Sequence, residues 1–184
     1  MCYDQVENRG PVDIDIQVYA PTDDEDGEIK DAFFEELQGA VDKVPRGDKL
    51  IVMGDLNARV GNKAELWKGV IGKHGEEVES DSGRRLLSFS AENEMQVMNT
   101  QYEHKRIHKF TWTCPGRGLK SIIDYFLVRG DLRKEVHDVK VIWGAEIGSD
   151  HHLVLMKVII CGRSKMKRKE RSCQLRSEKW ILRL

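Results

Sequence analysis

Between residues 14 and 53 the spacing of apolar side chains changes period twice, which restricts the chain to folds in which strands and helices alternate. In IDIQVYA (14–20), Ile14, Ile16 and Val18 alternate with Asp15 and Gln17, the period of a half-buried strand, and Pro21 stops it. From Glu28 to Val44 the spacing becomes helical, with Ile29, Phe33, Leu37 and Val41 four apart and acidic residues at the helix start. Pro45-Arg46-Gly47 ends that helix, and Lys49–Met53 reads as a buried strand that delivers Gly54-Asp55-Leu56-Asn57 to its far end.

A loop rich in Gly and charge follows, about residues 58–81, then a helix over Ser82–Glu92 and a strand at Met95–Met98. Phe110–Thr113, Ile122–Val128, Val136–Ile142 and His152–Ile160 are further strand candidates between turn residues. Helices belong to the first half and strands dominate the second, so an α/β fold with a mixed sheet is expected. At 184 residues the chain supports one compact unit with its own core.

Charge is unevenly distributed. Residues 161–184 hold nine Lys/Arg against two Glu, leaving 21 basic and 29 acidic side chains before them. The stretch RSKMKRKERSCQLR therefore reads as a solvated basic extension, a nuclear localisation signal or a nucleic-acid arm. The N-terminus has neither a basic start nor an apolar stretch, and the apolar run around Val154–Ile160 is broken by Lys157, so no membrane span is expected. Cys2, Cys114, Cys161 and Cys173 lie far apart without a C-x-x-C pair, consistent with free thiols in a nuclear or cytoplasmic protein.

Three clusters carry chemistry. In GDLN, an extended backbone would turn Asp55 and Asn57 to one face, where a carboxylate and an amide suit a hard cation or a water–phosphate assembly; a strand-ending turn is the bland alternative. In Ser149-Asp150-His151-His152, a turn before the last strand lets Asp150 position or deprotonate water and His151 bond a scissile phosphate, unless the group is an ordinary polar surface. Asp124 sits in the apolar strand IIDYFLV, and a carboxylate there needs a partner: His151 for catalysis, or an Arg or Lys for structure. Tyr19, at a strand end, reads on its own as packing, though its phenol could also reach a phosphate.

VYAPT (18–22), GDLNARVG (54–61), SGRRLL with MNT (82–100), KFTWT (109–113), IDYFLV (123–128) and GSDHHLV (148–154) occur in this order over about residues 12–160. Together they resemble the endonuclease/exonuclease/phosphatase superfamily, most of all its LINE-type retrotransposon endonuclease domains. The resemblance implies a two-sheet α/β sandwich and a single-step attack of water on a phosphodiester, assisted by Mg²⁺, with Mn²⁺ as a substitute. It implies that Tyr19 contacts phosphate, that Asp55 and Asn57 handle the attacking water and the phosphate, and that Asp124 orients the phosphate-binding His151. It further implies that Asp150 is associated with metal or water, which makes Asp55 and Asp150 the expected metal ligands. Trp112, Arg117 and Lys120 are the candidate substrate contacts, although for Trp112, an aromatic in an apolar strand, core packing is the favoured reading.

Members of that family begin with a strand bearing Asn and a strand bearing a metal-binding Glu, both upstream of the segment matching VYAPT; no residue here corresponds to either. The expectation is an incomplete sandwich: residues 1–11 an unrelated extension, 12–160 the later portion of the domain, 161–184 a basic tail. Three functions remain open on the sequence: a Mg²⁺-dependent DNA phosphodiesterase of endonuclease type, a non-catalytic retroelement remnant that binds chromatin or protein, and a phosphatase of the same superfamily.

Overall fold

The computed structural model describes residues 13–114, 116–144, 149–161 and 175–182. Strand β1 (Asp13–Tyr19) leads through helix α1 (Gly27–Val41) to strand β2 (Lys49–Asp55), and the two strands pair in parallel. After a long loop come helix α2 (Asp81–Glu92), β3 (Met95–Val97), the short hairpin β4 (Trp112–Thr113) and β5 (Lys120–Ser121), and β6 (Asp124–Arg129). β7 (Val136–Ile142), β8 (Leu153–Cys161) and β9 (Leu175–Leu182) complete the order. One sheet runs β1-β2-β6-β3 and a second runs β7-β8-β9, so the expected α/β architecture with a mixed sheet is present.

The period of two along β2 and β6 builds three layers. Leu50 and Val52 on β2 and Tyr125 and Leu127 on β6 join a core with Leu37 and Val41 of α1 and Leu86, Leu87 and Phe89 of α2. The intervening Ile51, Phe126 and Val128 join Val139, Val141, Val154, Met156 and Val158 of the second sheet. Helices thus cover one face of the central sheet and the second sheet covers the other. Full burial of side chains such as Leu50, Leu127 and Met156 contributes roughly 1.5–3 kcal/mol each.

Two departures from the sequence reading have physical causes. The stripe on α1 is rotated: Ile29 is half exposed, while Lys30 is buried with its ammonium donating to the Asp23 carbonyl and facing the Asp81 carboxylate. Helix α2 begins one residue early because Ser80 caps it, accepting from the Gly83 N–H, and Asp23 takes the Ser82 N–H. The stretch read as a solvated basic extension, residues 163–176, lies almost wholly outside the described residues; after it, Leu175–Leu182 pairs antiparallel with β8. Among the described residues no helix is long and apolar enough to cross a membrane.

Candidate active site

The alternation that layers the core also aims the carboxylates. Asp55 follows Ile51 and Met53 at steps of two on β2, and Asp124 precedes Phe126 and Val128 on β6, so both side chains project from the face that carries the second sheet. The antiparallel register sets Asp55 directly opposite Asp124. Both are buried, at 2% and 1% exposure.

Gly54 makes that register possible. Its φ is +152°, and a Cβ there would lie 1.8 Å from the Val18 carbonyl oxygen, so only glycine lets β1 and β2 stay paired up to Asp55. At the same level Tyr19 pairs with Asp55 across the β1–β2 ladder, and it is 72% exposed, not packed.

His151 enters from the turn before β8. Its Nδ1 donates to both Asp124 carboxylate oxygens, at 3.1 and 3.2 Å, and its Nε2 stands 3.9 Å from Asp55 Oδ2. The hairpin strand β4 fixes this turn: the Thr113 N–H donates to the Asp150 carbonyl, the His152 N–H to the Thr111 carbonyl, and Trp112 bridges His151.

The electrostatics follow from burial and pairing. Burial pushes the Asp55 carboxyl up to about 6; the Asn57 N–H pulls against this and the Asp124 charge adds to it. The hydrogen bond to Asp124 holds the His151 imidazolium above its ordinary range, against the opposing effect of burial. A carboxylate able to take a proton near neutrality beside an imidazolium that keeps one is a general acid–base arrangement.

Asn57 reaches the site by a route other than the one the sequence suggested. β2 ends at Asp55, and Asn57 adopts a left-handed conformation with φ 44°. Its backbone N–H donates to Asp55 Oδ1 at 2.9 Å while its side-chain amide donates to the Ala20 carbonyl, tying the β2 end to the β1 end.

Asp55, Asp124 and His151 offer ligand atoms that all lie within 4.8 Å of one another, a possible site for a divalent cation. Asp150, expected as a ligand with Asp55, is not in this group: it is exposed, and its Oδ2 accepts from Trp112 Nε1 at 2.7 Å. Its charge nonetheless acts on both Asp55 and His151. Trp112 is half-buried on β4, and Arg117 and Lys120 are exposed on the β4–β5 hairpin beside it.

Several contributors went unassigned in the sequence. The Asn99 side chain clamps the start of β6, donating to the Asp124 carbonyl and accepting from the Phe126 N–H. Buried Thr111 accepts from the Ile123 and Asp124 N–H groups. Glu76, in the long loop, accepts from Ser121 Oγ and the Ile122 N–H, and burial raises its carboxyl. Asn99 and Thr111 lie inside motifs already marked, so a polar residue in an apolar frame was the available signal. Glu76 has none, since it looks like its neighbour Glu77.

A family model described as endonuclease-reverse transcriptase, of the endonuclease/exonuclease/phosphatase type, matches residues 15–155. The chain belongs to this family. Craniofacial development protein 2 of Bos taurus is 38% identical over 143 residues, 77% of this chain and 24% of that protein, and its counterpart in Tragulus javanicus is 37% identical over the same length. The chain therefore spans about a quarter of these relatives. Among solved structures, a 3'-5' exonuclease, NExo, from Neisseria meningitidis superposes with a TM-score of 0.54 at 23% identity, covering 76% of this chain and 59% of that one. A 3' phosphatase form of NExo bound to a product DNA hairpin gives 0.52 at the same identity and covers 58% of that chain. The fold is that of a phosphodiesterase-type hydrolase.

Proposed function

We propose that this chain is the later portion of a divalent-metal-dependent phosphodiesterase of endonuclease type that hydrolyses DNA. The observation that carries this reading is the meeting of Asp55, Asp124 and His151 from three separate strand ends, with two buried carboxylates face to face. Like charges directly opposite on a sheet are destabilising, so the arrangement is costly to a fold that has no use for it.

In this reading the His151 imidazolium, oriented by Asp124, donates from Nε2 to a phosphate oxygen and stabilises the charge that grows there. Asp55, steadied by the Asn57 N–H, takes a proton from the attacking water as its oxygen bonds to phosphorus and the leaving oxygen departs. Tyr19, exposed at the level of Asp55, contacts the phosphate, and Asp150 positions water or metal from the rim. Mg²⁺ or Mn²⁺ fits the Asp55 and Asp124 oxygens, both being hard anionic donors, and when bound would neutralise phosphate charge. The bacterial neighbour bound to a DNA hairpin supports DNA as the polymer.

Incubating the purified chain with plain, nicked and abasic duplexes in Mg²⁺, Mn²⁺ or EDTA tests the proposal. Cleavage that needs metal and disappears in His151→Ala is expected. DNA retention without cleavage at high protein concentration would replace it with the non-catalytic reading, and release of phosphate from non-nucleic substrates with the phosphatase one.

A further inference from the structure

His152 immediately follows His151, and its ring belongs to a second aromatic assembly. Its Nε2 meets Thr113 Oγ1 at 3.1 Å, and its ring stacks on Trp143 with centroids 5.2 Å apart and planes at 26°. Lys120 Nζ lies 5.5 Å from the centroid of the Trp143 ring. Trp143, just past the end of β7, is 48% exposed, whereas Trp67 and Trp112 are half-buried.

A tryptophan that only filled space would turn its ring inward. This one is held at a fixed angle by His152, which is itself anchored to β4, and still presents about half of its surface to water. The neighbouring hairpin residues Arg117, Leu119 and Lys120 are exposed and include two cations and no acid, in a chain whose first 160 residues are net acidic. A rigid, half-exposed indole flanked by cations combines a π-face for a base with charge for its phosphates.

We infer that Trp143 is a stacking platform for an unpaired nucleobase next to the scissile linkage, with Lys120 and Arg117 holding the adjoining phosphates. The occupant is unpaired because a base inside a duplex has both faces stacked already. The inference rests on the phosphodiesterase reading for the identity of its ligand. It adds a residue that selects single-stranded, frayed or flipped substrate and takes no part in bond breaking.

The test uses short single strands carrying one phosphorothioate linkage and one 2-aminopurine, placed in turn at each position around that linkage. Stacking on the wild-type protein quenches the probe at one position. Trp143→Phe keeps most of that quenching, while Trp143→Leu, which still covers His152, loses it and binds about tenfold more weakly. Quenching without cleavage of the matching phosphodiester supports the platform and rejects hydrolysis. Cleavage with quenching unchanged in Trp143→Leu overturns the platform and leaves hydrolysis standing. Absence of binding overturns both.

Discussion

Strands β2 and β6 are charged at both ends, and the two ends are built to opposite rules. Where β2 begins, Lys49 Nζ lies 2.7 Å from Glu135 Oε2, and Arg129 on β6 donates to the Val44 and Pro45 carbonyls. Where β2 ends, Asp55 faces Asp124, and the nearby cation is His151. One end matches charge to charge and holds the fold; the other sets like charges together in a buried place and keeps a proton-carrying ring beside them. The same ladder of backbone hydrogen bonds runs through both ends, so the contrast in charge is set by the side chains it carries.

The largest effect expected from breaking this contrast is on catalysis. Asp124→Ala leaves His151 without its orienting acceptor, and the rate of metal-dependent DNA cleavage should fall by roughly 10²–10⁴, the usual worth of a positioned acid–base group. Folding should survive, as judged by an unchanged far-ultraviolet dichroism spectrum. At the other end, Lys49→Ala should leave cleavage intact and lower stability by about 1–3 kcal/mol in urea denaturation, because Glu135 keeps a half-buried charge without its partner.

The pH dependence of metal-free protein sharpens the contrast further. Asp55 binds its proton more tightly folded than unfolded, so its contribution is present at low pH and is lost as pH rises from about 4 through about 6. His151 is raised as well, and its contribution is fully present below the unfolded value of 6.5 and is lost as pH climbs through its folded value. The stability of the wild type relative to Asp55→Asn, measured in EDTA, should therefore decline with rising pH over about 4–6, a difference in which the opposite contribution of the lowered His152 cancels. A rise over pH 4–6 would contradict the assignment. The smallest expected effect is that of Glu76→Gln, which keeps an oxygen for Ser121 and the Ile122 N–H and should change stability by under about 1 kcal/mol; Glu76→Ala, leaving those donors unmet, should cost about 1–3 kcal/mol in the same assay.

Much of this was legible in the chain itself. Leu50, Ile51 and Val52 announce a strand buried on both faces, and the same alternation carries through to Asp55. The pairing of Asp124 with His151 could be named because a carboxylate inside IIDYFLV requires a partner and the DHH turn offers one. What escaped depends on non-local geometry. The Asn57 backbone turns left-handed because its amide reaches Ala20, thirty-seven residues away, and no periodicity reports that. Trp143 acquires its meaning from His152 and Lys120, which arrive from two other elements. The hold of Trp112 Nε1 on one Asp150 oxygen is likewise invisible to the sequence, because the two residues lie thirty-eight positions apart.

The most direct test is the thermal stability of the wild-type chain and of Asp55→Asn, each in EDTA and in saturating Mn²⁺, near pH 8. If the buried acids form a metal centre, removing one charge relieves repulsion, so the variant in EDTA should be at least as stable as the wild type, by an amount on the order of 1–3 kcal/mol. Mn²⁺ at a hundred times its dissociation constant should stabilise the wild type by about 2.7 kcal/mol and the variant far less. A variant that is less stable in EDTA, or that gains as much from Mn²⁺ as the wild type does, would show that this end of the sheet is ordinary structure.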